Sequence, residues 1–250
     1  MRFPPHAVDQ LRSHCEAIST RTFNARGVTL KRCKQCQLGL QTCICEWRKP
    51  SQSQLHFILI MHRDEVYKPT NTGRLIADLF PGQCQAFLWS RTDPDKTLLA
   101  LLNDKSRHCQ LVFPASENEI RTVASRPPER LEESAPINTV VLLDGTWKQA
   151  RKMYSQGKWM RHLPILDLSH TLSESQHKWG NYRVRQACED GQLATAEAAA
   201  LALAANGEAS ATEHLLNYFA VFNEHYVATR GNKKPQPLAA HQFLSESTHL

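Results

Sequence analysis

The sequence predicts an α/β domain with a mostly parallel sheet flanked by helices. Strand-like and helix-like segments alternate along most of the 250 residues, which is the pattern that builds parallel sheets. Two runs, 55–61 and 139–143, consist almost entirely of apolar or β-branched residues. Such runs are typical of strands that are buried on both faces. A hydrophobic content of 41% is enough to fill a sizeable core.

The individual elements follow from apolar runs and from the residues that end them. Strands are predicted at 55–61, 86–89, 109–113, 139–143 and 165–168. Helices are predicted within 1–30 and at 73–80, 96–103, 147–154, 195–205 and 212–228. The charged, proline-containing segment 116–138 is expected to be a connecting helix or loop. Pro81 and Gly82 end the helix that precedes them.

Three regions are expected from composition. Residues 1–50 form an N-terminal segment with a cysteine cluster, residues 51–229 form the α/β domain, and residues 230–250 form a basic, loosely ordered tail. The first ten residues lack a signal-peptide pattern, and the longest apolar run, 193–205, is too short to span a bilayer. We therefore expect a cytoplasmic protein without a membrane partner. A net charge of +6 is compatible with a polyanionic partner such as RNA.

Four of the eight cysteines fall within thirteen positions, at Cys33, Cys36, Cys43 and Cys45. Disulfides are unfavourable in a reducing compartment, so the cluster predicts a metal site. Four thiolates suit tetrahedral Zn²⁺ in a closed structural site. An iron–sulfur cluster uses the same ligands, and four unrelated buried cysteines are the third interpretation.

Ligands of open parallel sheets bind at the carboxyl ends of the strands, which indicates the loops after 55–61, 109–113 and 139–143. The first loop runs from His62 to Gly73 and carries polar side chains of both signs. His62, Arg63, Lys68, Asn71 and Thr72 are candidate RNA contacts. A solvated loop with a helix cap is the alternative. The second loop is a proline turn, from Phe113 through Pro114 and Ala115 to Ser116.

The third loop gives the strongest signal. A buried strand delivers Asp144, Gly145, Thr146 and Trp147 to its carboxyl end, and Lys148 and Arg151 follow on the next helix. Glycine lets the backbone approach a ligand closely, and cations at a helix start favour an anionic partner. The alternative is an Asp or Thr helix cap beside a core tryptophan.

Aromatic and basic residues are mixed in the segment 176–185, which suits base stacking and phosphate contact. It contains Lys178, Arg183 and Arg185. An alanine-rich helix then begins near Thr195 and Glu197.

These motifs, in this order, resemble the DTW-domain family, which is named for an Asp-x-Thr-Trp motif. The resemblance covers roughly residues 28–229 and includes the cysteine pattern, the His62–Asn71–Thr72 loop, the Phe113-Pro114 turn and the segment from Tyr182 to Ala198. It implies a SPOUT-like fold with a C-terminal trefoil knot. It also implies a tRNA-uridine aminocarboxypropyltransferase that uses S-adenosylmethionine as donor. In bacterial members the target uridine lies in the tRNA variable loop.

The resemblance assigns roles to the motif residues. Asp144 is the candidate base or the anchor of the donor, with Thr146 and Trp147 supporting it. The residues expected to bind the donor are Phe113, Pro114, Ala115, Ser116, Leu143, Gly145, Arg185, Thr195 and Glu197. Lys148, Arg151, Lys178 and Arg183 join the first loop as expected RNA contacts. An S-adenosylmethionine-dependent RNA methyltransferase and a non-catalytic zinc-containing RNA-binding protein are the competing functions.

Overall fold

The computed structural model describes residues 3–20, 30–174 and 193–246. Its strands are β1 His56–Met61, β2 Cys84–Leu88, β3 Arg107–Val112, β4 Val123–Ala124, β5 Ile137–Asp144 and β6 Ile165–Leu166. Its α-helices are α1 Ala7–Ile18, α2 Gly73–Leu79, α3 Lys96–Leu102, α4 Trp147–Gln156, α5 Ser169–Glu174, α6 Thr195–Ala205, α7 Ala209–Gly231 and α8 Ala239–Glu246.

The six strands form one sheet in the order β2-β1-β5-β3-β6-β4, and every pair is parallel. The α/β prediction is therefore confirmed. Strand β5 lies between β1 and β3 although it follows both in sequence, and Met61 is the register partner of Asp144. The carboxyl ends of the two central strands thus meet at one edge, which we call the carboxyl edge of the sheet.

Helices cover both faces of the sheet. Alternate residues of β1 point to opposite sides: Phe57, Leu59 and Met61 pack in a core with helices α1, α2, α6, α7 and α8. Ile58 and Ile60 pack in a second core with α3 and α4. Burial of strands on both faces explains why 55–61 and 139–143 are apolar without polar alternation.

A buried ionic cluster joins the N-terminal segment to α2 and α7. The carboxylate of Asp78 lies 3.2 Å from a guanidinium nitrogen of Arg48 and 3.2 Å from Nε2 of His6. The hydroxyl of Tyr218 donates to the same carboxylate at 3.1 Å. Because an unpaired buried charge is costly, the cluster holds these elements in one arrangement.

Three elements differ from the sequence-based expectations. Strand β4 and helix α5 are short, and a two-residue strand has too few positions to show an alternating pattern. The tail from residue 230 was expected to be loosely ordered; instead α7 continues to Gly231 and α8 follows. Helix α8 packs because Ala240 and Leu244 are buried in the core with α7.

The cysteine segment also shares this core, since Cys36, Leu38 and Ile44 are buried together with β1 and α7. The predicted boundary at residue 50 stays a prediction. The trefoil knot also stays a prediction, because a knot depends on the whole chain path and residues 175–192 lie outside the described residues. Within the described ranges, no helix has both the length and the apolar character needed to cross a membrane.

Candidate active site and metal centre

Asp144 is the last residue of β5 and lies at the carboxyl edge with only 3% of its surface exposed. Its Oδ1 accepts a hydrogen bond from the Thr195 hydroxyl at 2.6 Å, and its Oδ2 accepts one from the Asn71 amide. The carboxylate thus connects the start of α6 and the loop before α2 to the end of the central strand. Both of its oxygens are engaged.

Gly73, the first residue of α2, makes this approach possible. A Cβ atom at this position would lie 2.6 Å from Oδ2 and 3.0 Å from Cγ of Asp144. The absence of a side chain is therefore a steric requirement of the Asp144 arrangement. Asn71 is oriented in turn by the backbone N–H of Arg74, which donates to its Oδ1 at 2.9 Å.

Thr146 begins α4 as its cap. Its hydroxyl accepts from the Gln149 backbone N–H at 3.3 Å, and Oε1 of Gln149 accepts from the Thr146 N–H at 2.8 Å. Nε2 of Gln149 also lies 3.1 Å from Nδ1 of His62. Thr146 and Gln149 form a reciprocal capping box. The contact of Gln149 with His62 links the loop after β1 to the start of α4.

A cavity of about 790 Å³, including its open mouth, lies beside this turn at the carboxyl edge. Of the residues expected to bind a donor, the walls include Phe113, Pro114, Leu143, Gly145 and Thr195. Trp147, expected to be catalytic, is also a wall residue.

Trp147, a wall residue, has a buried indole Nε1 with no hydrogen-bond acceptor among the described residues. Buried donors are normally paired, so this N–H is a candidate donor to a ligand. Beside it, Phe113 stacks on Tyr154 with ring centroids 3.9 Å apart. Burial and the hydrogen bond to Glu119 raise the pKa of Tyr154 to about 12, which keeps it a neutral phenol.

Sequence reasoning missed Asp167, which contributes a carboxylate to the cavity wall. Its Oδ2 accepts from the Ala115 N–H at 2.8 Å, and its Oδ1 accepts from the Ser169 N–H at 2.9 Å and the Ser169 hydroxyl at 2.5 Å. Burial opposes ionisation, but these hydrogen bonds outweigh it and lower the pKa of Asp167. Asp167 directly follows β6, but the predicted strand 165–168 included it, so the strand-end rule did not indicate this residue.

Other predicted donor contacts have structural roles. Glu197 is 1% exposed, and its Oε2 accepts from the Ala194 N–H at 2.8 Å, where it caps α6. Ala115 contributes its N–H to Asp167, whereas Ser116 is exposed outside the cavity walls. Arg185, and the predicted RNA contacts Lys178 and Arg183, lie outside the described residues.

The predicted RNA contacts divide into buried and exposed residues. Asn71 and Thr72 are 3% and 4% exposed, so the expectation of RNA contact is corrected for both. They are buried because Asn71 holds Asp144 and the Thr72 hydroxyl accepts from the Ala196 N–H at 3.4 Å. Lys68 pairs at 2.8 Å with the buried carboxylate of Glu65. His62 is partly exposed, and three cations remain open to solvent: Arg63, Lys148 and Arg151.

The four predicted metal ligands converge. All the Sγ atoms of Cys33, Cys36, Cys43 and Cys45 lie within 4.8 Å of one another. The Cys33–Cys45 and Cys36–Cys43 sulfur distances are 3.7 and 3.6 Å. A tetrahedron with Zn–S bonds of about 2.3 Å has sulfur atoms roughly 3.8 Å apart. The geometry fits one zinc ion and excludes the interpretation as four unrelated cysteines.

The cysteine cluster is also connected to the Asp144 turn. The guanidinium of Arg74 donates to the Gln35 carbonyl, between two of the cysteines, at 3.0 Å. Burial lowers the pKa of Arg74, but nearby Asp78 and the Cys36 thiolate outweigh it and raise the value. Since the Arg74 N–H orients Asn71, one residue contacts both the cysteine segment and the support of Asp144.

The sequence model of the DTW domain matches residues 30–227. The chain belongs to the DTW-domain family. It is similar to tRNA-uridine aminocarboxypropyltransferase 2 of Macaca fascicularis, with 23% identity over 174 residues, or 68% of this chain and 55% of that protein. The protein of the same name from Drosophila melanogaster is 25% identical over 179 residues, or 69% and 65%. The matched region thus spans less than two thirds of these relatives, and no solved structure matches significantly.

The DTW motif is now placed in three dimensions. Asp144 joins β5, α2 and α6, Gly145 and Trp147 line the cavity, and Thr146 caps α4. The helix-cap interpretation is therefore right for Thr146 and leaves the cavity residues free for another role. The four motif residues act together as the turn that places a central strand end beside a cavity.

Proposed function

We propose that this DTW-domain protein modifies tRNA by transferring the 3-amino-3-carboxypropyl group of S-adenosylmethionine to N3 of a uridine. The observation that carries the proposal is the cavity built from the DTW motif, with Gly145 and Trp147 in its wall and Asp144 bonded to the wall residue Thr195. The relatives named tRNA-uridine aminocarboxypropyltransferase 2 support the choice of reaction.

The cavity suits this donor because its walls are mainly apolar and few polar groups converge on it. Leu143, Leu172 and Leu201 offer surfaces for the adenine ring and the thioether carbons. Asp167, with its lowered pKa, is an acceptor for the ribose hydroxyls or the ammonium of the donor. The Trp147 indole N–H is a donor for a carboxylate or carbonyl oxygen of the substrates.

The regiochemistry then depends on orientation. The sulfonium activates three carbons, and only attack on the γ-carbon of the methionine part gives this product. The walls must hold that carbon about 3–3.5 Å from uracil N3. N3 loses its proton to Asp144 or to solvent water, the N3–Cγ bond forms and the Cγ–S bond breaks. The electron pair of the broken bond leaves with the sulfur of 5′-methylthioadenosine.

Asp144 is a candidate base for the N3 proton or an anchor of the site. Its contacts favour the anchor. Both carboxylate oxygens already accept hydrogen bonds, and the residue is not among the described residues that line the cavity. In this role it fixes Thr195 and the Gly145 turn, so that the cavity wall is already formed when the donor binds.

The RNA is proposed to approach the exposed cations at the carboxyl edge. Lys148 and Arg151 lie in the first two turns of α4, where a phosphate would also interact with the positive end of the helix dipole. The proposed target is a uridine of the tRNA variable loop. We propose that Zn²⁺ on the four cysteines has a structural role, since the protein supplies all four ligands of a closed site.

Incubating the protein with unmodified tRNA and S-adenosylmethionine tests the function. We expect 3-(3-amino-3-carboxypropyl)uridine in the nucleoside digest and an equal amount of 5′-methylthioadenosine. S-adenosylhomocysteine would indicate the rival methyltransferase, and tRNA binding without donor turnover would indicate a non-catalytic protein.

Two substitutions of Asp144 separate its possible roles. If Asp144 is an anchor, Asp144→Asn keeps one acceptor oxygen and therefore retains more transfer activity than Asp144→Ala. The pH profile of transfer is then unchanged. If Asp144 is the base, the transfer rate of both variants falls by about 10²–10⁴-fold. The acidic limb of the pH profile then disappears in Asp144→Asn.

A further inference from the structure

A second groove lies between the cysteine segment and the end of α7, outside the proposed active site. Its volume is about 590 Å³, and it is lined on one side by Leu30, Lys31 and Leu40 and on the other by Thr229 and Lys233. We call it the Lys31–Lys233 groove. Its lining includes two cations, Lys31 and Lys233.

Both lysines of the groove are exposed and form no ion pair within the described part of the chain. Lys34, Arg230 and Lys234 are also exposed in the two flanking segments. Like charges that share a surface repel each other, and a polyanion relieves this repulsion.

The groove also offers neutral contacts beside the charges. Leu40 is 58% exposed and Leu30 is 36% exposed, although both are large apolar residues. Gln41 and Asn232 add exposed amide groups to the lining. Apolar surface next to cations and amides suits a sugar–phosphate backbone, whose ribose rings lie between phosphates.

The packing of α7 directs its C-terminal end toward the end of α2 that contacts Asp144. Tyr218 contacts Asp78 near the end of α2, whereas Phe222 lies under the Arg74 guanidinium near the start of α2. The two helices are therefore antiparallel. After Phe222, α7 continues for nine residues to Gly231, or about 14 Å at 1.5 Å per residue, past the end of α2 that contacts Asp144.

The cysteine segment holds the groove in place. The hydroxyls of Thr42 and Thr229 are hydrogen-bonded to each other, and Nδ1 of His225 lies 3.1 Å from the Thr42 carbonyl oxygen. The Lys31 carbonyl accepts from the Leu40 N–H at 3.1 Å. Two segments almost 200 residues apart in sequence thus form one surface with fixed backbone geometry.

We propose that the Lys31–Lys233 groove binds backbone phosphates of the substrate RNA, away from the reacting uridine. The inference rests on the proposed function, because it takes the RNA as the partner. The metal centre would then have a second use: it holds Lys31 opposite Lys233 and so forms half of an RNA contact.

The test is binding of fluorescently labelled, unmodified tRNA, followed by anisotropy between 50 and 200 mM KCl. The variant is Lys31→Ala combined with Lys233→Ala. The control is Lys105→Ala combined with Lys158→Ala, two exposed lysines that are not among the residues lining the groove. Both double variants remove two positive charges, so they match in net charge.

We expect the groove variant to bind tRNA about tenfold more weakly at 200 mM KCl. We also expect its salt dependence to fall by about 1.4–1.8 in the slope of log K against log salt, for two lost phosphate contacts. The control should stay within about twofold of the wild type, and donor affinity should be unchanged in both variants.

An unchanged affinity and slope in the groove variant would overturn the inference while leaving the proposed function intact. An equal loss in both variants would also overturn it, since net charge alone would then explain the effect. A wild-type protein that binds no tRNA would overturn both proposals.

Discussion

The hydroxyl of Thr195 donates to Oδ1 of Asp144 at 2.6 Å and thereby joins the start of α6 to the end of the central strand. The two residues are 51 positions apart in sequence. Thr195 also lines the cavity, so this hydrogen bond directly couples the DTW motif to a wall of the proposed donor site.

Replacing Thr195 by valine keeps its size but removes the hydroxyl. Hydrogen bonds to charged groups contribute about 1.5–3 kcal/mol, which corresponds to a loss of about 10–100-fold in transfer rate. Thr195→Ser keeps the hydroxyl and should stay within severalfold of the wild type. Single-turnover assays measure the difference. Equal rates for the valine and serine variants would show that the hydroxyl is not required.

Gly73→Ala should displace the Asp144 carboxylate, because the new Cβ atom would lie 2.6 Å from Oδ2. Overpacking of this kind costs about 1–3 kcal/mol, and we expect transfer to fall by at least about tenfold. Gly82→Ala is the control, since a Cβ there meets nothing within 4 Å. Thermal denaturation and transfer assays should both separate the two variants. Equal behaviour would contradict the steric role of Gly73.

Trp147→Phe keeps an aromatic wall but removes the buried indole N–H. If a substrate atom accepts from this group, the variant loses about 0.5–1.5 kcal/mol, or roughly two- to tenfold in donor or tRNA affinity. Isothermal titration with each substrate shows which one is affected. Trp147→Ala is the comparison, because it removes the wall as well. Wild-type affinity for both substrates in Trp147→Phe would leave the N–H without a ligand role.

Asp78 should make stability depend on acid pH. Burial opposes its ionisation, but the hydrogen bond to His6 and the charges of Arg74 and Arg48 outweigh burial and lower its pKa below the ordinary 3.8. Its stabilisation is therefore complete above that value and is lost as the pH falls through the lower folded-state pKa.

Urea unfolding of the wild type and of Asp78→Asn measures this contribution. Breaking a buried ion pair costs about 3–5 kcal/mol. The free energies of unfolding of the two proteins should therefore differ strongly at pH 7. The difference should narrow in strongly acidic buffer, because the wild-type carboxylate then becomes neutral. A constant difference down to pH 2 would exclude Asp78 as the titrating group.

Removing the metal should destabilise the protein beyond the cysteine segment. A chelator or Cys43→Ser is expected to lower the melting temperature and to abolish equimolar zinc, because metal binding contributes to folding. Cys109→Ser is the control, since this cysteine is buried in the other core. Retention of one zinc per chain in Cys43→Ser would show that the ligand set is wrong.

Strand-end reasoning located the candidate site because Asp144 and the cavity depend on local patterns. The run 139–143 had to be a buried strand, and the residues after it had to lie at the carboxyl edge. The cysteine cluster could also be predicted from the sequence, since the spacing of the four cysteines alone brings the thiols together.

Contacts between residues that are distant in the sequence could not be predicted from local patterns. Nothing in the local sequence shows that Asn71 and Thr195 converge on one carboxylate, or that Arg48 is an internal partner of Asp78 rather than part of a basic surface. Helix α8 was missed for a related reason: only two of its residues, Ala240 and Leu244, are buried. Its stability comes from packing on α7, which is a tertiary effect.

The position of β5 also bears on how the chain folds as it leaves the ribosome. Strands β1 and β3 are synthesised first, but they become neighbours only through β5, which inserts between them. Until residue 144 emerges, β1 lacks a partner at one edge and β3 lacks partners at both edges, a state prone to misassociation. The candidate site is completed later still, when Thr195 is synthesised and can donate to Asp144. A nascent chain that stops before α6 therefore has its central strand but not the Asp144–Thr195 hydrogen bond.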